Sequence, residues 1–160
     1  MMTTHTPLRQ RLAWACFIGL ATVTAHAAET VPFPQKAALN YSGPYGVSAT
    51  MNFSRSSSNY SINTLFKIPL YNMNFSSQGL LNGPQFQPFR YTDTRKGKVY
   101  AQARFDYGNK KITYGKGGEP TQTAAMTGIP MDLFSLAWQL ALSDGKLGGV
   151  SQFTNGKKVY

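Results

Sequence analysis

The sequence predicts a mainly β protein, an antiparallel curved sheet or incomplete barrel with one apolar helix near residues 131–143. Three observations carry this expectation. From residue 47 onward, apolar and polar residues alternate with the period of a half-buried strand. Clusters of Gly, Ser, Asn and Pro interrupt the alternation at hairpin spacing. The period then changes once, between residues 131 and 143, to a density of apolar residues that only a helix accommodates.

The elements follow in order. Residues 28–38 carry Pro32 and Pro34 without periodicity and read as an extended lead into a single β-rich domain, residues 39–160. Val47, Ala49, Met51 and Phe53 alternate with Ser48, Thr50, Asn52 and Ser54, so one face is apolar and the other polar. Ser56 to Asn59 supply turn chemistry, and Tyr60, Ile62, Thr64, Phe66 and Ile68 resume the alternation until Pro69. Tyr71, Met73 and Phe75 give a third strand, closed by a loop or bulge at Gly79, Gly83 and Pro84. A fourth runs from about Phe86 to Thr92, weakened by Pro88, which has no amide to donate. After the Arg95 to Lys98 turn, Val99, Ala101, Ala103, Phe105 and Tyr107 form the longest alternation. Gly108-Asn109 turns the chain into a strand at Lys111 to Tyr114, and a short one is expected near Gln122 to Met126.

Leu133, Phe134, Leu136, Ala137, Trp138, Leu140, Ala141 and Leu142 fit a helix with a buried face, capped by Asp132 or Ser135 and stopped by Gly145 and Gly148-Gly149. Val150 to Thr154, Asn155-Gly156 and Lys157 to Tyr160 then begin another hairpin, whose last strand is expected to leave an open edge.

Arg9 and Arg11 precede an uncharged run from Leu12 to Val23 and the small-x-small triplet Ala25-His26-Ala27, the pattern of a signal peptide over residues 1–27. The run is shorter than the roughly 20 residues a membrane-spanning helix needs, and no later stretch approaches it. Cleavage after about Ala27 places the protein in the periplasm with a net charge of about +8. It also removes Cys16, His5 and His26, and with them the usual thiol nucleophile, general base and transition-metal ligands. Enzymatic activity, a metal and a cofactor are therefore not expected. Export keeps the positive charge from nucleic acid and leaves anionic envelope components as its counterpart, although solubility explains the charge more simply.

Several residues resemble those of the bacterial exported family called domain of unknown function 3108. They are Phe105-Asp106-Tyr107, Ile112-Thr113-Tyr114, the stretch from Met131 to Leu140, and Asn155-Gly156-Lys157-Lys158-Val159-Tyr160. Tyr41 to Val47 resembles that family's opening strand. The resemblance implies a mostly β periplasmic or envelope protein. It carries over no catalytic residue. Members continue for several strands past the Asn-Gly-Lys-Lys hairpin, so it also implies that C-terminal strands are missing here.

The six acids, Glu29, Asp93, Asp106, Glu119, Asp132 and Asp144, are not paired by spacing as glycan hydrolysis would require. Asp106 shares a strand face with Arg104 and is expected to pair with it, and Asp93, Glu119 and Asp144 fall near turns. The Arg95-Lys96-Gly97-Lys98, Lys110-Lys111 and Lys157-Lys158 clusters suit strand edges that must not pair with other chains, or one rim that attracts anionic head groups. Asn52-Phe53-Ser54 and Asn74-Phe75-Ser76 match the glycosylation triplet but lie within strands and count as chance.

Two functional classes remain. One is a non-catalytic periplasmic protein that binds an apolar or amphipathic envelope component such as a lipid, in a cavity lined by Met51, Phe53, Phe66, Phe134 and Trp138. The other is an outer-membrane-associated or envelope-structural β protein with no small ligand. Under either, the open strand edge is expected to allow self-association.

Overall fold

The computed structural model describes residues 34–147 and 149–160, which fall in one compact unit. The signal peptide expected over residues 1–27, and the expected lead up to residue 33, lie outside the described residues. Eight strands form one antiparallel sheet in sequence order: β1 Lys36–Ser42, β2 Ser48–Ser56, β3 Asn59–Ile68, β4 Tyr71–Asn82, β5 Gln85–Arg95, β6 Lys98–Asp106, β7 Lys111–Lys116 and β8 Gln122–Ala125. β1 and β8 do not pair, so the sheet is an open meander and not a closed barrel. The lead is shorter than the sequence indicated, because β1 begins at Lys36 and pairs along its whole length with β2.

β5, the strand expected from about Phe86 to Thr92, is longer than Pro88 alone would allow. β4 runs past Gly79 to Asn82, and a bulge between Gln78 and Gly79 sets Gly79 opposite Pro88. The proline cannot donate to the ladder, and the bulge absorbs the missing hydrogen bond. Gly79 is needed because the backbones come so close there. A β-carbon built on it would lie 2.1 Å from the Gln87 carbonyl oxygen and 2.6 Å from the Pro88 α-carbon.

Beyond the sheet come β9 Ile129–Asp132, the helix α1 Leu133–Leu142 and β10 Val150–Thr154. β9 has only four residues and no alternation, and the sequence did not indicate it. β10 pairs with it in parallel, forming a two-stranded sheet apart from the meander. Residues 157–160 return beside β10, the hairpin that Asn155-Gly156 indicates. Val159 bridges Thr154, and Phe153 and Tyr160 exchange backbone hydrogen bonds at 3.1 and 2.9 Å. The unpaired edges of the large sheet, among the described residues, are those of β1 and β8.

The helix packs on the apolar sheet face from β2 to β7. Six strands span about 24 Å when flat, whereas a helix is roughly 10 Å across, so the sheet must curl to keep these strands in contact with it. Two core clusters result. Phe53, Tyr60, Ile62, Leu81, Phe86, Met131 and Trp138 form one, and Tyr91, Ala103, Phe105 and Ile112 form the other, with Phe134 packed against both. The tip of the last hairpin closes the second cluster. Gly156, at φ +79°, lies where a β-carbon would come within 3.0 Å of the Tyr91 ring and 3.1 Å of the Gln102 amide.

Two surface expectations need correction. Asp106 does not pair with Arg104. It accepts from the Asn109 amide (2.9 Å) and side chain (2.7 Å), which the hairpin turn brings closer, and these bonds hold its pKa below the ordinary value. Arg104 instead faces Glu119 at 3.7 Å. Asp93 is not a turn residue but is buried in β5, where it takes a forked contact from Arg95, with Nε at 3.1 Å and Nη2 at 2.9 Å. That contact raises the Arg95 pKa.

Candidate functional site

Helix α1 is positioned by polar contacts at its start and at its middle. Asp132 caps it. Its carboxylate accepts from the Phe134 and Ser135 amides at 2.9 and 3.0 Å, and the Ser135 hydroxyl accepts from the Asp132 amide at 3.0 Å, completing a capping box. The Ser77 hydroxyl donates to the same carboxylate at 2.6 Å and lies 3.2 Å from the Tyr60 hydroxyl, tying β3 and β4 to the helix start. Asp132, Ser77 and Ser135 are fully buried. Removal from water pushes the Asp132 carboxyl above its ordinary pKa in spite of these donors, and burial followed by the charge of Asp132 raises Tyr60. No solvent reaches the carboxylate, and the chemistry of this network is to hold the helix start against the sheet. At the middle of the helix, the Gln139 side chain accepts from the Phe86 amide at 3.0 Å and donates to the Pro84 carbonyl at 3.3 Å. It satisfies the turn between β4 and β5.

The consequence is an unusual division of faces. The buried residues of α1 are Ser135, Trp138 and Gln139, whereas Leu133, Ala137 and Ala141 are exposed. Phe134, Leu136 and Leu142 are half-buried against the core, so the helix gives these large apolar side chains to the sheet and leaves its alanines outside. The exposed alanines border a groove of about 140 Å³ lined by Leu39, Tyr41, Met51, Ala137, Trp138 and Ala141. β1 and β2 form one wall, because Leu39 pairs with Met51 and Tyr41 with Ala49 in register. Trp138 forms the other, held by the Phe53 ring at 4.5 Å between centroids and by donation from its Nε1 to the Met51 sulfur at 3.2 Å. A second apolar hollow, about 250 Å³, lies between Leu136 of α1, Leu147 in the connection after it, Val150, Gln152 and Phe153 of β10, and Tyr160.

Of the five residues expected to line a cavity, two line the groove and three do not. Met51 and Trp138 line the groove. Phe53 lies beneath Trp138, only 2% exposed, and supports the wall without reaching the opening. Phe66 and Phe134 belong to an aromatic row in which Phe66 meets Phe75 at 5.6 Å and Phe75 meets Phe134 at 5.2 Å. That row joins sheet to helix. Leu39, Tyr41, Ala137 and Ala141 were not indicated by the sequence. The signals for them were the two-residue spacing of Leu39 and Tyr41 and the four-residue spacing of the alanines.

Among the described residues, no three His, Cys, Asp or Glu side chains come together as metal ligands would, and no helix is long and apolar enough to cross a membrane. Comparison with known protein families, with characterised proteins and with solved structures finds no match to this chain.

Proposed function

We propose that this chain is an exported, periplasmic, non-catalytic protein, akin to domain of unknown function 3108, that holds one apolar chain of an envelope lipid in the groove between β1, β2 and α1. The observation that carries the reading is the groove itself, an apolar trough beside a helix whose alanines face outward. Its volume limits the ligand. An enclosed apolar cavity of about 150 Å³ takes one benzene, and drug-sized sites run to about 300 Å³ or more. The trough therefore suits a few methylenes of an acyl chain, with the head group outside.

Trp138 is the only tryptophan of the described residues, so it reports on its own groove. Titration with a brominated fatty acid is expected to quench its fluorescence saturably. Ala137→Phe and Ala141→Trp fill the groove from exposed positions and are expected to weaken binding about 10-fold or more, at an unchanged melting midpoint. For Ala141→Trp, which adds a second fluorophore, competition by unlabelled fatty acid is the readout. Absence of quenching, or filled variants that bind like the wild type, would count against the groove.

A further inference from the structure

Turns in a meander alternate between the two ends of the sheet. The β1–β2, β3–β4, β5–β6 and β7–β8 connections therefore share one end. Neighbouring tips there are two strands, about 10 Å, apart. This end gathers the two most exposed large apolar side chains of the described residues, Tyr45 at 92% and Leu70 at 88%. Tyr45 stands at φ 59°, in the left-handed region where a bulky residue is uncommon, and Leu70 occupies the two-residue turn after Pro69. Neither touches the core clusters.

The same rim is cationic. Lys96 and Gly97 form the β5–β6 turn, with φ 48° and 73°, a tight hairpin geometry in which Lys96 and Lys98 are exposed and the Lys96 ammonium lies 5.3 Å from the centre of the Tyr71 ring on β4. Lys67 and Lys116 sit at the ends of β3 and β7. Two of the sequence's basic clusters meet here through Tyr100, whose ring lies under the Arg95 guanidinium at 3.8 Å and the Lys157 ammonium at 5.6 Å. Of the acids at this end, Asp93 is committed to Arg95, and Glu119 faces Arg104. Lys110 and Lys111 lie at the opposite end, in the turn after β6 and at the start of β7.

We propose that this rim docks the protein on an anionic bilayer surface, with Leu70 and Tyr45 entering the head-group region and the surrounding lysines meeting lipid phosphates. Each component is suited to its place. An exposed leucine and tyrosine gain from the interfacial apolar zone, and each lysine near an anionic surface adds roughly 5-fold in affinity. Lys67, Arg95, Lys96, Lys98, Lys116 and Lys157 outnumber Asp93 and Glu119 there, so the rim carries the net positive charge such a surface complements. The inference goes beyond the acyl-chain groove and stands on different residues.

The test is co-sedimentation of the protein, purified from the periplasm, with phosphatidylcholine vesicles with and without phosphatidylglycerol. Binding only to the anionic vesicles, weakening as salt rises, is expected. Leu70→Ser is expected to reduce it about 10-fold. The pair Lys96→Ser and Lys98→Ser together is expected to reduce it roughly 25-fold. Lys110→Ser with Lys111→Ser, at the far end, leaves it unchanged. Equal binding to both vesicle types, rim variants that bind like the wild type, or an equal loss from the Lys110 and Lys111 pair would overturn the proposal. The groove is tested apart. Rim variants keep fatty-acid quenching of Trp138, and Ala141→Trp keeps vesicle binding.

Discussion

Replacing Gly79 with alanine is expected to destabilise the protein by about 3 kcal/mol and to lower its melting midpoint by roughly 10 °C. The added β-carbon meets backbone on the facing strand, at 2.1 Å from the Gln87 carbonyl oxygen, and no side-chain rotation relieves that contact. β4 and β5 must separate at the bulge, and their partners in the first core cluster, Leu81 and Phe86, separate with them. Gly83 in the adjoining turn supplies the control. It has φ 59° and nothing within 4 Å of its built β-carbon, so Gly83→Ala pays only conformational strain, about 1 kcal/mol. Chemical denaturation of both variants measures the contrast. Equal and small losses would mean that the strands do not approach so closely at Pro88.

The second large effect is at Asp132. Asp132→Ala removes the helix cap and leaves the Ser77 hydroxyl and two buried amides without their acceptor, a loss of about 4 kcal/mol. Asparagine keeps an acceptor oxygen at the cap, and Asp132→Asn is expected to recover most of that stability at neutral pH. The two variants separate further with pH. Burial raises the carboxyl's folded pKa above its ordinary 3.8, so the folded state binds the proton more tightly than the unfolded chain. The stabilisation from that proton is complete below about pH 3.8 and is lost as pH rises through the folded value. Melting midpoints of wild type relative to Asp132→Asn are therefore expected to fall as pH rises above about 4. A relative midpoint that climbs with pH would show that the hydrogen bonds favour the carboxylate over its burial.

Much of the fold was legible because one sheet face is apolar and the other wet. Met51 and Phe53, Tyr60 and Ile62, and Ala101 to Phe105 advertised β2, β3 and β6 by their spacing, and the dense apolar run with Asp132 before it advertised α1 and its cap. What stayed hidden depends on pairing. β9 is four residues long, and nothing local to Ile129 or Val150 says that they lie side by side in parallel. Pro88 argued against a strand until Gly79 was seen opposite it.

The candidate site was half legible for the same reason. Met51 and Trp138 stood out as large apolar residues, but the groove exists because β1 adds Leu39 and Tyr41 beside them. β1 is exposed over nearly its whole length, and the two-residue spacing of Leu39 and Tyr41 is too short an alternation to mark a strand by itself. Nor did composition reveal which helical residues face inward. Gln139 and Ser135 are buried by partners on β5 and at the helix cap, and that choice turns Ala137 and Ala141 toward the groove.

The most direct test of the acyl-chain assignment is native mass spectrometry of the protein purified gently from the periplasm. The account predicts an added mass of one envelope lipid per chain, released on denaturation and missing from Ala141→Trp. A wild-type mass equal to the bare polypeptide would contradict it.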